Sequence, residues 1–117
     1  MSNHPVAFFE IVSEDAPKLQ SFYTTLFGWA VQNDEDGYGL VDTGAGDDAV
    51  TGGIGPSMAP GDTGVKIYVK TPTLEKTLAE ARELGSTVYL EPMDLPGGYG
   101  RIAVVSDPDG NPVGLWA

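Results

Sequence analysis

Residues 6–12 put Phe9 and Ile11 on one side of an extended chain and Phe8, Glu10 and Val12 on the other, the alternation of a strand. Ser13-Glu14-Asp15-Ala16-Pro17 then supplies capping oxygens, acids for the helix dipole and a proline for a first turn. Leu19, Phe22, Tyr23, Leu26 and Phe27 follow at helical spacing, and Gly28 ends the run. Residues 29–32 predict a second strand, 33–37 a turn, and 38–42 with 49–54 a hairpin around a Gly/Asp-rich loop. After a linker the order returns. Residues 65–70 predict a strand. Thr71-Pro72-Thr73 opens a helix with Leu74, Leu78, Ala81 and Leu84 on one face and Gly85 at its end. Residues 87–90 predict a strand, 92–100 a loop, and 101–105 with 112–116 a closing hairpin.

The two halves share more than element order. Gly37-Tyr38-Gly39 corresponds to Gly98-Tyr99-Gly100, and Gly53-Ile54 to Gly114-Leu115, each pair 61 positions apart. The chain therefore predicts two β-α-β-β-β modules, the first over residues 5–55 and the second over 64–117, joined by a linker at 56–63. A duplicated unit predicts a pseudo-two-fold axis with a ligand cleft on it. The helix of each module should cover the purely apolar strand faces: Phe9 and Ile11 in the first strand, Val65, Ile67 and Val69 in the fifth, Val113 and Leu115 in the last. The mixed faces should line the cleft with Phe8, Glu10, Lys66, Tyr68, Lys70, Gly114 and Trp116.

Composition narrows the chemistry. With 6 Lys and Arg against 17 Asp and Glu the net charge is −11, which argues against nucleic acid and anionic membranes as partners. No cysteine is present, so thiolate metal sites, thiol nucleophiles and disulfides are excluded. No apolar run approaches the ~18 residues of a membrane span, and the first residues lack a leader pattern; a cytoplasmic protein is expected. His4, the single histidine, falls near the first residues, where a frayed tail and solvent exposure are expected. Asp107-Pro-Asp109-Gly-Asn111 has the opening of a calcium loop, but its twelfth position falls past residue 117, so a hairpin turn is expected. The Gly-Tyr-Gly phrases precede strands rather than helices, which removes the phosphate-loop reading; Tyr38 and Tyr99 could instead flank the cleft.

Phe9-Glu10-Ile11, Phe22-Tyr23, Leu26-Phe27-Gly28-Trp29, Leu84-Gly85 and the closing Ser106-Asp107-Pro108-Asp109-Gly110-Asn111 before Val113-Gly114-Leu115-Trp116 resemble, in that order, the vicinal oxygen chelate superfamily of glyoxalases, bleomycin-resistance proteins and extradiol dioxygenases. The resemblance implies an α+β fold, a cupped eight-stranded mixed sheet built from two βαβββ modules, and a homodimer. It also implies metal ligands on the first and fourth strands of each module. Here those positions hold Phe8, Gly53, Lys66 and Gly114. A catalytic zinc takes about three N, O or S donors, and these four offer none that suits a divalent ion, so no metal and no cofactor is expected.

The expected function is metal-free binding of a flat aromatic or polycyclic compound, as in the bleomycin-resistance branch. Phe8, Tyr68 and Trp116 would give apolar area, and Glu10, Lys66 and Arg101 would fix orientation. The alternative is a metal-independent enzyme using Glu10 or Lys66 as acid or base; a metal-dependent lyase or dioxygenase ranks below both. Glu10 facing a lysine could also be a salt bridge filling a metal's place, and Trp116 could be a dimer contact. Trp29, directly after the helix-ending glycine, is expected in the core.

Overall fold

The computed structural model describes residues 4–44, 46, 49–57 and 64–117. The described residues form an α+β fold of eight strands and two α-helices: β1 (Val6–Ser13), α1 (Ala16–Phe27), β2 (Ala30–Asn33), β3 (Gly39–Asp42), β4 (Thr51–Pro56), β5 (Gly64–Lys70), α2 (Leu74–Glu83), β6 (Val88–Asp94), β7 (Arg101–Ser106) and β8 (Pro112–Trp116). Two compact units result, one spanning Phe8–Val65 and the other Lys66–Ala117 together with the chain up to Ala7. β4 runs through Pro56, two residues further than expected, and most of the linker lies outside the described residues.

In the first unit the strand order is β2-β3-β4-β1, with β1 parallel to β4 and the other pairs antiparallel. The parallel pair is possible because α1 supplies part of the long crossover it needs. Asp15 caps α1 by accepting the Lys18 N–H at 3.2 Å, and Gly28, at φ 72°, closes it with an N–H to the Thr24 carbonyl. Ile11, Val41 and Ile54 form the buried centre, with Phe9, Leu19, Tyr23, Trp29 and Val31 packed around it. Trp29 stacks on Tyr23 at 5.4 Å and meets Phe9 at 5.7 Å, so the expected core tryptophan packs, half-buried, against the core.

The inner helix face holds only part of the apolar set: Leu19 and Tyr23 pack on the core, whereas Phe22, Leu26 and Phe27 do not. At 100° per residue, Ala16, Gln20 and Tyr23 share the arc toward the sheet, while Phe22 lies roughly 120° around from its centre. Phe22 and Leu26 accordingly stay exposed, at 56% and 60%. Gln20 takes the inner position because its amide has work there. It donates to the Ile54 carbonyl at 2.7 Å and Asn33 Oδ1 at 2.9 Å, and lies 3.3 Å from the Gly37 carbonyl. Buried polar groups need such partners.

The second unit repeats the order as β5-β8-β7-β6, with β5 parallel to β8. Leu74 and Leu78 of α2 pack on Ala103, Val105 and Leu115. Val113 joins them as expected. Val65, Ile67 and Val69 do not: Val65 is 63% exposed and Ile67 41%. α2 sits over β7 and β6, with Leu115 of β8 reaching into the same core, and this shifts the core away from the apolar face of β5. β6 continues to Asp94, where a loop from residue 92 was expected. Its pairing with β7 slips between Leu90 and Met93, which leaves Pro92 outside the ladder, and an outer, irregular strand tolerates a proline without its N–H. The turn after β7 is the expected hairpin turn: Asp107 Oδ1 accepts the N–H groups of Asp109 and Asn111, both at 2.9 Å. These bonds, with the Asn111 side-chain amide foremost, hold the Asp107 carboxyl below its ordinary pKa. His4 is exposed. No helix among the described residues is long and apolar enough to cross a membrane.

Candidate functional site

Each sheet has one face under its helix and one face away from it, and the helix-free faces carry most of the expected site residues. In the first unit, β1 alternates: Phe9 and Ile11 enter the core, so Phe8, Glu10 and Val12 project to the other side. Register extends that row across the sheet, with Glu10 beside Gly53 and Gly53 beside Leu40. Tyr38 enters this face from the turn before β3. Asp34 fixes it there: its Oδ1 accepts the N–H groups of Asp36 at 2.8 Å and Tyr38 at 3.0 Å, and its own N–H donates to the Tyr38 carbonyl at 2.9 Å. The phenol ring then lies across Gly53 and Gly55, so close that a Cβ on either glycine would overlap it. At its end the hydroxyl donates to Glu10 Oε2 at 2.6 Å. A hydrogen bond to a carboxylate of this length is charge-assisted and strong for its class.

The second unit builds the same motif from a different strand. Tyr68 on β5 stands opposite Gly114 on β8, and its ring covers that glycine so closely that a Cβ would strike it. Tyr68 is itself buried. Two residues on, Lys70 stands opposite Trp116, with its ammonium 3.8 Å from the ring centre. The Trp116 indole N–H donates to the Tyr99 carbonyl at 2.7 Å, which fixes the ring plane. Lys66 shares this face by alternation with Tyr68. The pseudo-symmetry therefore holds at the glycines and fails at the tyrosines. Tyr38 covers Gly53, whereas its sequence counterpart Tyr99 is 65% exposed and Tyr68 covers Gly114 instead.

Arg101 does not join these residues. It alternates with Ala103 and Val105, which face α2, and its guanidinium pairs with Glu75 of α2 at 2.5 Å and with Asp94 at 3.5 Å. The Arg101 hydrogen bond holds the Glu75 carboxyl below its ordinary pKa. Arg101 thus ties the first turn of α2 to β7, and its expected role as a ligand anchor has no geometric support. Two residues take greater prominence than their spacing suggested. Tyr38 is the partner of Glu10, and the alternation Gly53-Ile54-Gly55 signalled it, since two glycines on one strand face leave room that a neighbour must fill. Lys70 is signalled by its place two residues after Tyr68, opposite Trp116.

The metal chemistry implied by the resemblance does not fit these residues. At two of the four ligand positions a glycine lies under a tyrosine ring; the other two hold Phe8, with no donor, and Lys66, a cation. Among the described residues no three His, Cys, Asp or Glu side chains group closely enough to hold an ion.

The architecture has close counterparts among solved structures. A glyoxalase/bleomycin resistance protein/dioxygenase superfamily member from Vibrio splendidus 12B01 superposes with a TM-score of 0.69 at 18% identity, covering 97% of this chain and 97% of that one. Methylmalonyl-CoA epimerase from Mycobacterium tuberculosis gives 0.65 at 14% identity, over 95% of this chain and 85% of that one. 2,2',3-Trihydroxybiphenyl 1,2-dioxygenase from Sphingomonas wittichii strain RW1 gives 0.61 at 18%, over 98% of this chain and 40% of that longer one. At these identities the likeness is one of fold. No curated protein matches the sequence. A family model described as a glyoxalase-like domain matches residues 8–116, nearly the whole chain, and the protein belongs to that glyoxalase-like family.

Proposed function

We propose that this protein binds a flat aromatic small molecule on its helix-free sheet faces, without a metal ion. The observation that carries the reading is that Gly53 and Gly114, where the superfamily resemblance puts metal ligands, each lie beneath a tyrosine ring. Aromatic surface stands where donor atoms would be needed. In the first unit Phe8 offers a ring and Glu10 a charge to orient a polar substituent; in the second Trp116 offers the stacking surface, backed by the buried Tyr68, and Lys66 the charge. Glu10 is held in place for that task by the Tyr38 hydroxyl.

A thermal-shift screen tests this with the EDTA-treated protein, set against aromatic metabolites and, separately, against divalent metals. A ligand that binds the native state alone raises the melting temperature by mass action. Aromatic compounds are expected to raise it and metals to leave it unchanged. Stabilisation by a stoichiometric metal, with aromatic compounds inert unless that metal is present, overturns the reading.

The Tyr38–Glu10 bond also favours a second reading, a metal-independent enzyme with Glu10 as proton acceptor, or with Lys66 in that role. The fold neighbours include enzymes, among them the epimerase and the dioxygenase named above. Any compound that binds should therefore be followed by NMR for turnover or for exchange of its protons with solvent, and loss of both in Glu10→Gln would favour catalysis. We also propose a homodimer, on the family resemblance. Light scattering at micromolar concentration should give about twice the chain mass of 12.3 kDa, and a single-chain mass would remove the dimer.

A further inference from the structure

Lys70 is held over an aromatic ring rather than against an acid. The chain has 17 acidic and 6 basic residues, yet among the described residues no carboxylate lies within ion-pair distance of the Lys70 ammonium. The ammonium sits over an indole instead, 3.8 Å from the centre of the Trp116 ring. Register makes this a designed juxtaposition: Lys70 pairs with Trp116 as Tyr68 pairs with Gly114, so all four project from one face of two neighbouring strands. The ring is anchored at its edge by its N–H bond to the Tyr99 carbonyl. Lys70 is exposed, so a solute can reach it. An ammonium has three N–H donors, and an aromatic face does not engage all of them.

We infer that Lys70 and Trp116 form the charge-reading end of the ligand site, and that the molecule it takes is a planar aromatic anion, a carboxylate or phenolate. The inference rests on the proposed function for the flatness of the ligand and adds the sign of its charge. An anionic group meets the donors of Lys70 while its ring lies along the half-buried Trp116. A cationic aromatic would have to displace the ammonium from the indole against like-charge repulsion. A neutral aromatic gains the stacking surface and leaves Lys70 with only the indole. The side-chain pairing thus selects among aromatic compounds by charge, a property that stacking alone does not confer.

The test is isothermal titration of the full chain with three probes of one ring system: 2-naphthoate, 2-naphthamide and 2-naphthylmethylammonium. Naphthoate should bind at least about tenfold tighter than naphthamide, as expected for a charge-assisted contact, and the ammonium probe weakest. Lys70→Gln should erase the margin between naphthoate and naphthamide, and Lys70→Arg should keep most of it. Lys76→Gln changes net charge equally at an exposed position on α2 and should leave the margin intact. Melting temperatures of all variants verify folding. Equal binding of naphthoate and naphthamide would overturn the charge assignment and leave the flat-aromatic reading standing. Tighter binding of the ammonium probe, a margin that survives Lys70→Gln, or one lost equally in Lys76→Gln would also overturn it. Absence of saturable binding by any probe would overturn it as well, and the wider thermal-shift screen then decides the binding function separately.

Discussion

Gly53→Ala tests the placement of Tyr38, on which the reading of the first unit depends. An added Cβ would overlap the hydroxyl and ring of Tyr38. The ring has two responses. If it stays, overpacking costs about 1–3 kcal/mol. If it swings out, the Glu10 hydrogen bond is lost, at roughly 1–2 kcal/mol for a half-buried charged acceptor, together with about 1 kcal/mol of ring burial. Replacing glycine by alanine also restricts the unfolded chain, which returns roughly 0.4–1 kcal/mol. The net is a destabilisation of about 2 kcal/mol, or a fall in melting temperature of roughly 8 °C for a chain of this size. Urea unfolding read from tryptophan fluorescence measures it, since Trp29 packs against the core beside Phe9 and Tyr23. The decisive comparison is a double-mutant cycle. In a Tyr38→Ala background the same substitution should be neutral or slightly stabilising, because the colliding ring is gone. An equal cost in both backgrounds, or no cost in the wild-type background, would refute the placement of Tyr38 over Gly53.

Three further outcomes are expected. Trp116→Phe keeps an aromatic ring and removes the N–H to the Tyr99 carbonyl, so stability should fall by about 1 kcal/mol while stacking-dependent affinity for an aromatic ligand falls by less than in Trp116→Ala; unchanged affinity in Trp116→Ala, measured with its melting temperature, would take Trp116 out of the site. Gln20→Leu leaves the Ile54 carbonyl and Asn33 Oδ1 without their donor and should cost about 2–4 kcal/mol in urea unfolding, whereas a change under about 0.5 kcal/mol would show that water replaces the amide. The folded pKa of Asp107 is depressed, so its stabilising contribution is present above the unfolded value near about 4 and fades as pH falls through the folded one; the stability gap between wild type and Asp107→Ala should therefore be wide at pH 7 and narrow steadily in acid, and a gap independent of pH would assign the effect to something other than the carboxylate.

Element order, the duplicated unit and the Asp15 and Gly28 caps of α1 were legible in the sequence, because alternation, capping residues and glycine stops are local signals; Thr73 at the start of α2 makes no such capping bond. Tertiary packing decided the rest. The apolar spacing of α1 pointed at Phe22 and Leu26, yet the inner arc holds Gln20, since unpaired carbonyls needed a donor more than the core needed another ring. The apolar face of β5 looked like core, but α2 lies over β7 and β6. Pro92 signalled a loop and lies in a strand, because β6 is the outer strand of its sheet and slips register there. Glu10, Lys66, Tyr68 and Trp116 fell on the expected faces by simple alternation. Arg101 did not, since it shares its strand face with Ala103 and Val105, which pack on α2. The Tyr38–Glu10 bond and the Lys70–Trp116 contact join residues 28 and 46 positions apart in sequence, and only strand register brings them together.

Metal content and ligand affinity, determined on the same preparation, test the central claim most directly. The purified protein is analysed for zinc, iron, nickel and manganese, and its affinity for the best aromatic ligand from the thermal-shift screen is titrated before and after EDTA treatment. The account predicts far less than one metal ion per chain and the same affinity in both states. About one ion per chain, with affinity lost on EDTA treatment and restored by that metal alone, would contradict it.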